Sequence, residues 1–204
     1  MSHQVHYSNP QSVIPLDVQT IQSATVSLDI AAYAFVAPEL VAAVLNRAAV
    51  PIPIRLYLDR TELESEARGD AMLAHSPLGQ LLNNPAITIK VKQSSILMHL
   101  KSYLVDGKLL RDGSANFSDP GEEQQDNSLT LDDDLATCEA FQSKFNAMWQ
   151  RTDNLTVAQA VLSHPKPLPY RATGSTSPMD TFRRGNPSPG IHRRVLGALG
   201  RAFS

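Results

Sequence analysis

A single cysteine, Cys138, in 204 residues leaves no partner for an internal disulfide and too few thiolates for a cysteine-based zinc site within one chain. Set in a helical pattern, a lone cysteine reads as a small core residue. No stretch approaches the run of about 18 apolar residues that a membrane-spanning helix needs. Residues 1–12 lack a basic start followed by an apolar run, so no secretory leader is expected and the cytoplasm is the expected compartment. Lysine and arginine are missing between Asp112 and Asp134, a stretch that holds eight acidic residues. A surface built from it would repel a polyanion, whereas nucleic-acid binders draw much of their affinity from basic surface.

What is present begins with a hydrophobic fraction of 42%, ordinary for a globular protein and enough for a real core. The net charge of -2 is unevenly distributed. Through His164 there are 11 Lys/Arg against 19 Asp/Glu; from Pro165 onward there are 7 against Asp180 alone. That shift coincides with a change of composition. Pro165, Pro167, Pro169, Pro178, Pro187 and Pro189 are interspersed with Ser, Thr, Gly and Arg, too little apolar area to offset chain ordering. Two regions are therefore expected: a domain over residues 1–164 and a flexible Pro/Arg-rich tail over residues 165–204. Within the tail, Val195, Leu196, Leu199 and Phe203 fit one face of a short basic helix. A solvated end, or a segment that binds nucleic acid, a membrane surface or a partner, are its open readings.

Periodicity organises the first region. Residues 26–33 are apolar at most positions and read as a strand buried on both faces. Residues 39–49 follow helix spacing behind Pro38, and residues 52–58 alternate as a second strand. A short helix is expected over residues 18–24. Strand, helix, strand suggests a parallel crossover unit. Residues 59–70 read as a charged loop or loose helix, and residues 72–82 as a short helix interrupted at Pro77. Strands are expected over residues 87–91, 98–105, 108–111 and 128–131, with an Asp106-Gly107 turn between the middle pair. Asp132, Asp133 and Asp134 place negative charge at the start of a helix running to Trp149. Its buried stripe is expected to be Leu135, Cys138, Phe141, Phe145, Met148 and Trp149. The expected class is α/β: a mixed, largely parallel sheet flanked by helices.

The chemistry concentrates in residues 99–116, HLKSYLVDGKLLRDGSAN. His99 and Lys101 are two apart, so on a strand they share a face. An imidazole beside an ammonium suits a phosphate diester, which needs a nucleophile or proton donor and a fixed positive charge for its nonbridging oxygens. After the next strand, Gly113 lets backbone approach a ligand closely, and Ser114 and Asn116 offer neutral donors to phosphate oxygens. His3, His6, His75, His164 and His192 have no ligand-like partners at useful spacing and read as surface or loop residues. No metal site and no cofactor site is expected.

His99, Lys101, Asp106, Gly113, Ser114 and Asn116 fill every fixed position of H-x-K-x4-D-x6-G-S-x-N, and the segment resembles the motif of the phospholipase D superfamily. Residues 5–10 (VHYSNP), 27–44 (SLDIAAYAFVAPELVAAV), 54–59 (IRLYLD) and 145–149 (FNAMW) are similar to the small single-motif bacterial endonucleases of that superfamily. The resemblance covers about residues 5–151 and none of the tail. It implies an α/β/α sandwich and a metal-independent, two-step reaction. One histidine attacks phosphorus and forms a phosphohistidine; a second, from another motif copy, protonates the leaving oxygen. With one copy per chain, it implies a homodimer sharing its active site across the two-fold axis. Asp106 would then hold a turn or a salt bridge rather than substrate. Family members also carry an acid after the Gly-Ser-x-Asn turn that orients the histidine. Asp126 takes that place here with a one-residue gap, and Glu122 and Glu123 are rivals.

Three functions stay open at this point. One is a nuclease cleaving DNA or RNA, the reading closest to the resemblance. Another is a lipid enzyme that hydrolyses or exchanges phospholipid head groups. The third is an inactive phosphate-binding or regulatory domain.

Overall fold

The computed structural model describes residues 2–69 and 76–162. The expected tail over residues 165–204, its basic helix, and the start of the pattern at residues 72–75 lie outside the described residues. So do His75, His164 and His192.

Seven strands form one sheet: β1 (His3–Tyr7), β2 (Leu28–Ala32), β3 (Ile54–Leu58), β4 (Ile87–Val91), β5 (Lys101–Val105), β6 (Leu109–Gly113) and β7 (Ser128–Asp132). Their spatial order is β1-β7-β6-β5-β2-β3-β4. The expected mixed sheet is present, but its parallel part is confined to β2, β3 and β4. The other four pairings are antiparallel. The physical reason is the connections. Parallel strands need a long crossover connection, usually through a helix, whereas β5 and β6 are joined by a three-residue turn, residues 106–108. Its first two residues, Asp106 and Gly107, adopt positive φ, 56° and 68°, which an Asp-Gly pair tolerates.

Helices α1 (Ile14–Gln22), α2 (Pro38–Ala48), α3 (Arg60–Gly69), α4 (Pro77–Leu82), α5 (Leu135–Trp149) and α6 (Val157–Leu162) complete the domain. Strand alternation divides the core into two layers. Leu28, Ile30, Ile54, Leu56, Tyr103 and Val105 pack with α1, α2 and α4 on one face. Ala31, Tyr57, Leu104 and Leu110 pack with Cys138, Phe141, Phe145 and Met148 of α5 on the other. All five residues of β2 are buried, four of them apolar; the fifth, Asp29, is ion-paired with Arg55. Asp134 caps α5 by accepting from the Thr137 backbone N–H at 2.9 Å. The expected α5 stripe holds except at its first residue: Leu135 is 61% exposed, because it sits in the first turn before the helix meets the sheet.

Some elements depart from their sequence patterns. Of the two readings for residues 59–70 the structure takes the helix, α3, started by Asp59, whose Oδ1 accepts from the Glu62 N–H at 3.1 Å. Pro77 opens α4 instead of interrupting it, since proline suits a first helical turn. The strand expected from residue 98 begins only at Lys101. The Met98 N–H is diverted to Asp59 Oδ2 at 2.7 Å and so is lost to the ladder. His3–Tyr7 forms edge strand β1, which carries little apolar alternation to announce it.

Candidate active site

The motif residues gather at one end of the sheet because of how the strands run. β5 starts at Lys101 and β6 ends at Gly113, and the two are antiparallel. Both ends therefore lie beside the carboxyl ends of parallel strands β2 and β3, the usual place for ligands in open α/β sheets. The backbone N–H of Tyr33, just past β2, donates to the Leu100 carbonyl at 2.9 Å. Phe117 closes the group from the other side: its carbonyl accepts from the N–H groups of Val36 (2.8 Å) and Ala37 (3.0 Å) at the start of α2.

His99 lies on the segment leading into β5 and is exposed. Its ring meets the ring of Tyr33 edge-on, with centroids 4.7 Å apart. Lys101 is buried at 5% exposure, and its Nζ sits 4.9 Å from the centroid of the same Tyr33 ring. The ammonium also donates to the His99 carbonyl at 2.8 Å. The expected pair is thus brought together, with Tyr33 as the shared wall. Burial, and next the positive charge of Arg111, lower the Lys101 pKa to about 8, while Asp59 and Glu62 act in the opposite sense.

The Gly113–Asn116 turn is held tightly. Gly113 has φ 150°, and a Cβ there would run into the Ser128 carbonyl oxygen. The Ser114 N–H donates to that same carbonyl at 2.9 Å. The Ser114 hydroxyl accepts from the Ser128 N–H (2.9 Å) and donates to Asn127 Oδ1 (3.0 Å), so its donor serves the turn in this structure. Asn116 is half-buried, and its Oδ1 is buried without a hydrogen-bond partner. Gly121, in the single π-helical turn Pro120–Gln124, lies so close to the Asn116 backbone that a side chain would not fit.

The acidic candidates separate clearly. Asp126 is exposed and accepts from Asn9 Nδ2 at 3.0 Å. Glu123 is exposed. Glu122 is fully buried and accepts from Arg111 Nη2 at 2.9 Å. Burial first, and the nearby Asp17 second, push the Glu122 pKa well up against the pull of Arg111. Asp106 faces away from the motif's other side chains. Its carboxylate accepts from the N–H groups of Thr25, Val26 and Ser27 and from the Thr25 hydroxyl, at 2.7 to 3.0 Å. It fastens the loop before β2, a hydrogen-bonded staple rather than a salt bridge.

Tyr33, Asp59, Asn127 and Arg111 were not singled out by sequence reasoning. A faint signal existed for two of them: Asp59 ends an apolar strand, and Arg111 interrupts the apolar run of β6. Among the described residues, no group of three or more His, Cys, Asp or Glu side chains is arranged to hold a metal ion. Nor is any helix among them long and apolar enough to cross a membrane.

Comparison with known proteins places this geometry. Residues 18–149 match the family model described as cardiolipin synthase, PLD-like domain. The mitochondrial cardiolipin hydrolase of Xenopus tropicalis is 27% identical over 127 residues, covering 62% of this chain and 56% of the relative. The chain thus spans about half the length of the curated relatives it matches. Two solved structures share the fold. NucT from Helicobacter pylori superposes with a TM-score of 0.63 at 20% identity, covering 73% of this chain and 96% of that one. Nuc from Salmonella typhimurium, described as a phospholipase D family member, gives 0.62 at 22% identity over 76% and 97% of the two chains. With a family model matched over most of the described domain and the motif residues assembled at one end of its sheet, the chain belongs to the phospholipase D-like family.

Proposed function

We propose that this protein is a metal-independent phosphodiester hydrolase that works through a phosphohistidine on His99, in a homodimeric site. The observation that carries the reading is the arrangement around Tyr33: an exposed imidazole and a buried ammonium both lie against its ring. A diester phosphorus within reach of His99 would have its nonbridging oxygens beside Lys101 and the Asn116 amide. The His99 nitrogen attacks phosphorus and the P–O bond to the leaving group breaks. His99 of a second copy gives its proton to the departing oxygen, then takes one from the water that cleaves the P–N bond. Lysine and asparagine from both copies stabilise the charge on the phosphoryl oxygens, a role that in other enzymes falls to a metal. Asp126, exposed near the turn, is the carboxylate for orienting a histidine across the two-fold axis; Glu122 is excluded from that role by its bond to Arg111.

Nucleic acid is the proposed substrate. It rests on the resemblance to single-motif endonucleases and on the near-complete coverage of the Nuc and NucT chains by this fold. A lipid diester is the second reading, favoured by a specific feature. Ile96 and Leu97, three and two residues before His99, are 76% and 47% exposed and would meet an apolar surface. The sequence relatives are themselves cardiolipin hydrolases.

A parallel assay separates these readings. Wild type and His99→Asn are offered plasmid DNA, RNA and cardiolipin vesicles, each with and without EDTA. Cleavage of nucleic acid by wild type alone, insensitive to EDTA, is expected. Cleavage of vesicles alone selects the lipid reading. Equal turnover by His99→Asn, or loss of turnover with EDTA, contradicts the mechanism.

A further inference from the structure

Beneath the motif lies a cluster of charge that the mechanism above does not use. Arg111 has no solvent exposure, and neither does Asp17 of α1 or Glu122 of the π-helical turn. All five N–H donors of the guanidinium are engaged. Nη2 donates to Asp17 Oδ2 and to Glu122 Oε1, each at 2.9 Å, and Nε reaches the Asp17 carboxylate at 3.2 Å. Nη1 donates to two backbone carbonyls, those of Lys101 at 2.7 Å and Ala115 at 3.2 Å. The Arg111 Cζ lies 4.4 Å from the Phe117 ring centroid, and Tyr103 donates its hydroxyl proton to Asp17 at 2.6 Å.

The two carbonyls are the informative contacts. One belongs to the strand that begins at Lys101, two residues after His99; the other belongs to the turn that carries Ser114 and Asn116. A single nitrogen therefore sets the spacing between the two halves of the motif. Burying an arginine for fold stability alone is a poor use of a core position, since an apolar group of similar volume often serves as well or better. A lysine could not replace it, because an ammonium lacks the planar fork that reaches carbonyls and carboxylates at once.

We propose that Arg111 is a positioning residue for phosphodiester hydrolysis, clamping the Lys101 strand to the Gly113–Asn116 turn, with Asp17 and Glu122 as its seat. The proposal rests on the hydrolase reading above. Its second consequence is electrostatic: Arg111 faces Lys101 from β6, opposed by Asp59 at the end of β3 and Glu62 of α3, while the Tyr33 ring covers the ammonium. Removing the guanidinium charge raises the Lys101 pKa; replacing it by lysine keeps the charge and loses the clamp.

The test uses the full chain as Arg111→Met, Arg111→Lys and Asp17→Asn, each checked for a cooperative thermal transition. Bis(p-nitrophenyl) phosphate is the kinetic probe, and the 13C-labelled lysine Cε resonance, assigned with Lys101→Arg, reports the Lys101 titration. Both Arg111 variants are expected to lose at least about tenfold in kcat, with KM within about threefold, since misplacement of reacting groups acts on the transition state. Asp17→Asn, which loosens the seat, loses less in the same direction. Lys101 is expected to titrate at higher pH in Arg111→Met and unchanged in Arg111→Lys, a split that a merely structural role would not produce. Wild-type kcat and an unmoved Lys101 titration in folded Arg111→Met overturn the proposal. So does failure of all three variants to fold, which makes the cluster a folding element. An inert wild type would sink the hydrolase reading, while the Lys101 titration would still decide whether the Arg111 charge acts on Lys101.

Discussion

Lys101 is buried with a second cation on its side of the sheet, and these two causes, in that order, lower its pKa to about 8. The proposed reaction needs the ammonium charged, so the charge is present below that pH and lost above it. Turnover is expected to fall along a single alkaline limb centred near pH 8, measured as kcat/KM on a soluble diester. Lys101→Arg, always charged, should shift that limb upward even if its maximum is lower. A limb unmoved by the substitution would show that another group titrates. Glu122 presents the opposite case. Burial and Asp17 raise its pKa, so the folded protein holds a proton that the unfolded chain releases at ordinary carboxylate pH. Stability contributed by this group is complete at low pH and declines as pH rises towards the folded value. Glu122→Gln imitates the protonated form, so its melting temperature relative to wild type should rise between pH 5 and pH 8. A variant less stable at pH 8 than at pH 5, relative to wild type, would place a carboxylate there instead.

Among the elements, the β5–β6 hairpin does the most to build the site, and Asp106 holds its closed end. Partial burial alone would raise the Asp106 carboxyl. Hydrogen bonds from Ser27, Val26 and Thr25 outweigh that and hold it below the usual carboxylate range. A depressed folded pKa stabilises the protein above the unfolded carboxylate pKa, and the contribution is lost as pH falls through the folded value. Asp106→Ala should cost about 1.5–3 kcal/mol in urea denaturation at pH 7, the range for hydrogen bonds to a charged group. Substantial kcat should remain under folding conditions. Unchanged stability with abolished turnover would move Asp106 from the turn into the chemistry.

The hairpin was legible before the structure because Asp106-Gly107 is a strong local turn signal and the motif spacing is itself a strand–turn–strand spacing. Strands β2, β3, β4 and β7 and helices α2 and α5 were legible for a similar reason: their apolar periods carry their own burial. What stayed hidden depends on contacts distant in sequence. The start of β5 is set by Asp59 capturing the Met98 N–H from 39 positions away. The seat of Arg111 joins residues 94 positions apart. The pairing of β1 with β7, far apart in the sequence, is written in neither strand's own pattern. Among site residues, His99, Lys101 and Asn116 were named from spacing, while Tyr33 was an ordinary aromatic at a strand end until the fold set it between two of them.

At the scale of the whole molecule, one motif copy gives half of the proposed catalytic apparatus. The proposed dimer makes activity depend on protein concentration. Specific activity per chain should fall on dilution through the dimer dissociation constant, in step with the mass measured by sedimentation. Specific activity that stays constant while the protein is monomeric would show that a single chain suffices. The acidic stretch between Asp112 and Asp134 is less adverse to a polyanion than its sequence suggests. Glu122 is buried with a raised pKa, so it adds nothing to the negative surface.

The central claim is that His99 becomes covalently phosphorylated. Wild-type protein mixed with a 32P-labelled diester, quenched within a turnover and kept alkaline, would be digested and its labelled peptide sequenced by mass spectrometry. The account predicts an acid-labile phosphoryl group on the peptide containing His99, absent from His99→Asn. Diester turnover without label at His99, under conditions that trap a phosphohistidine control, would contradict it.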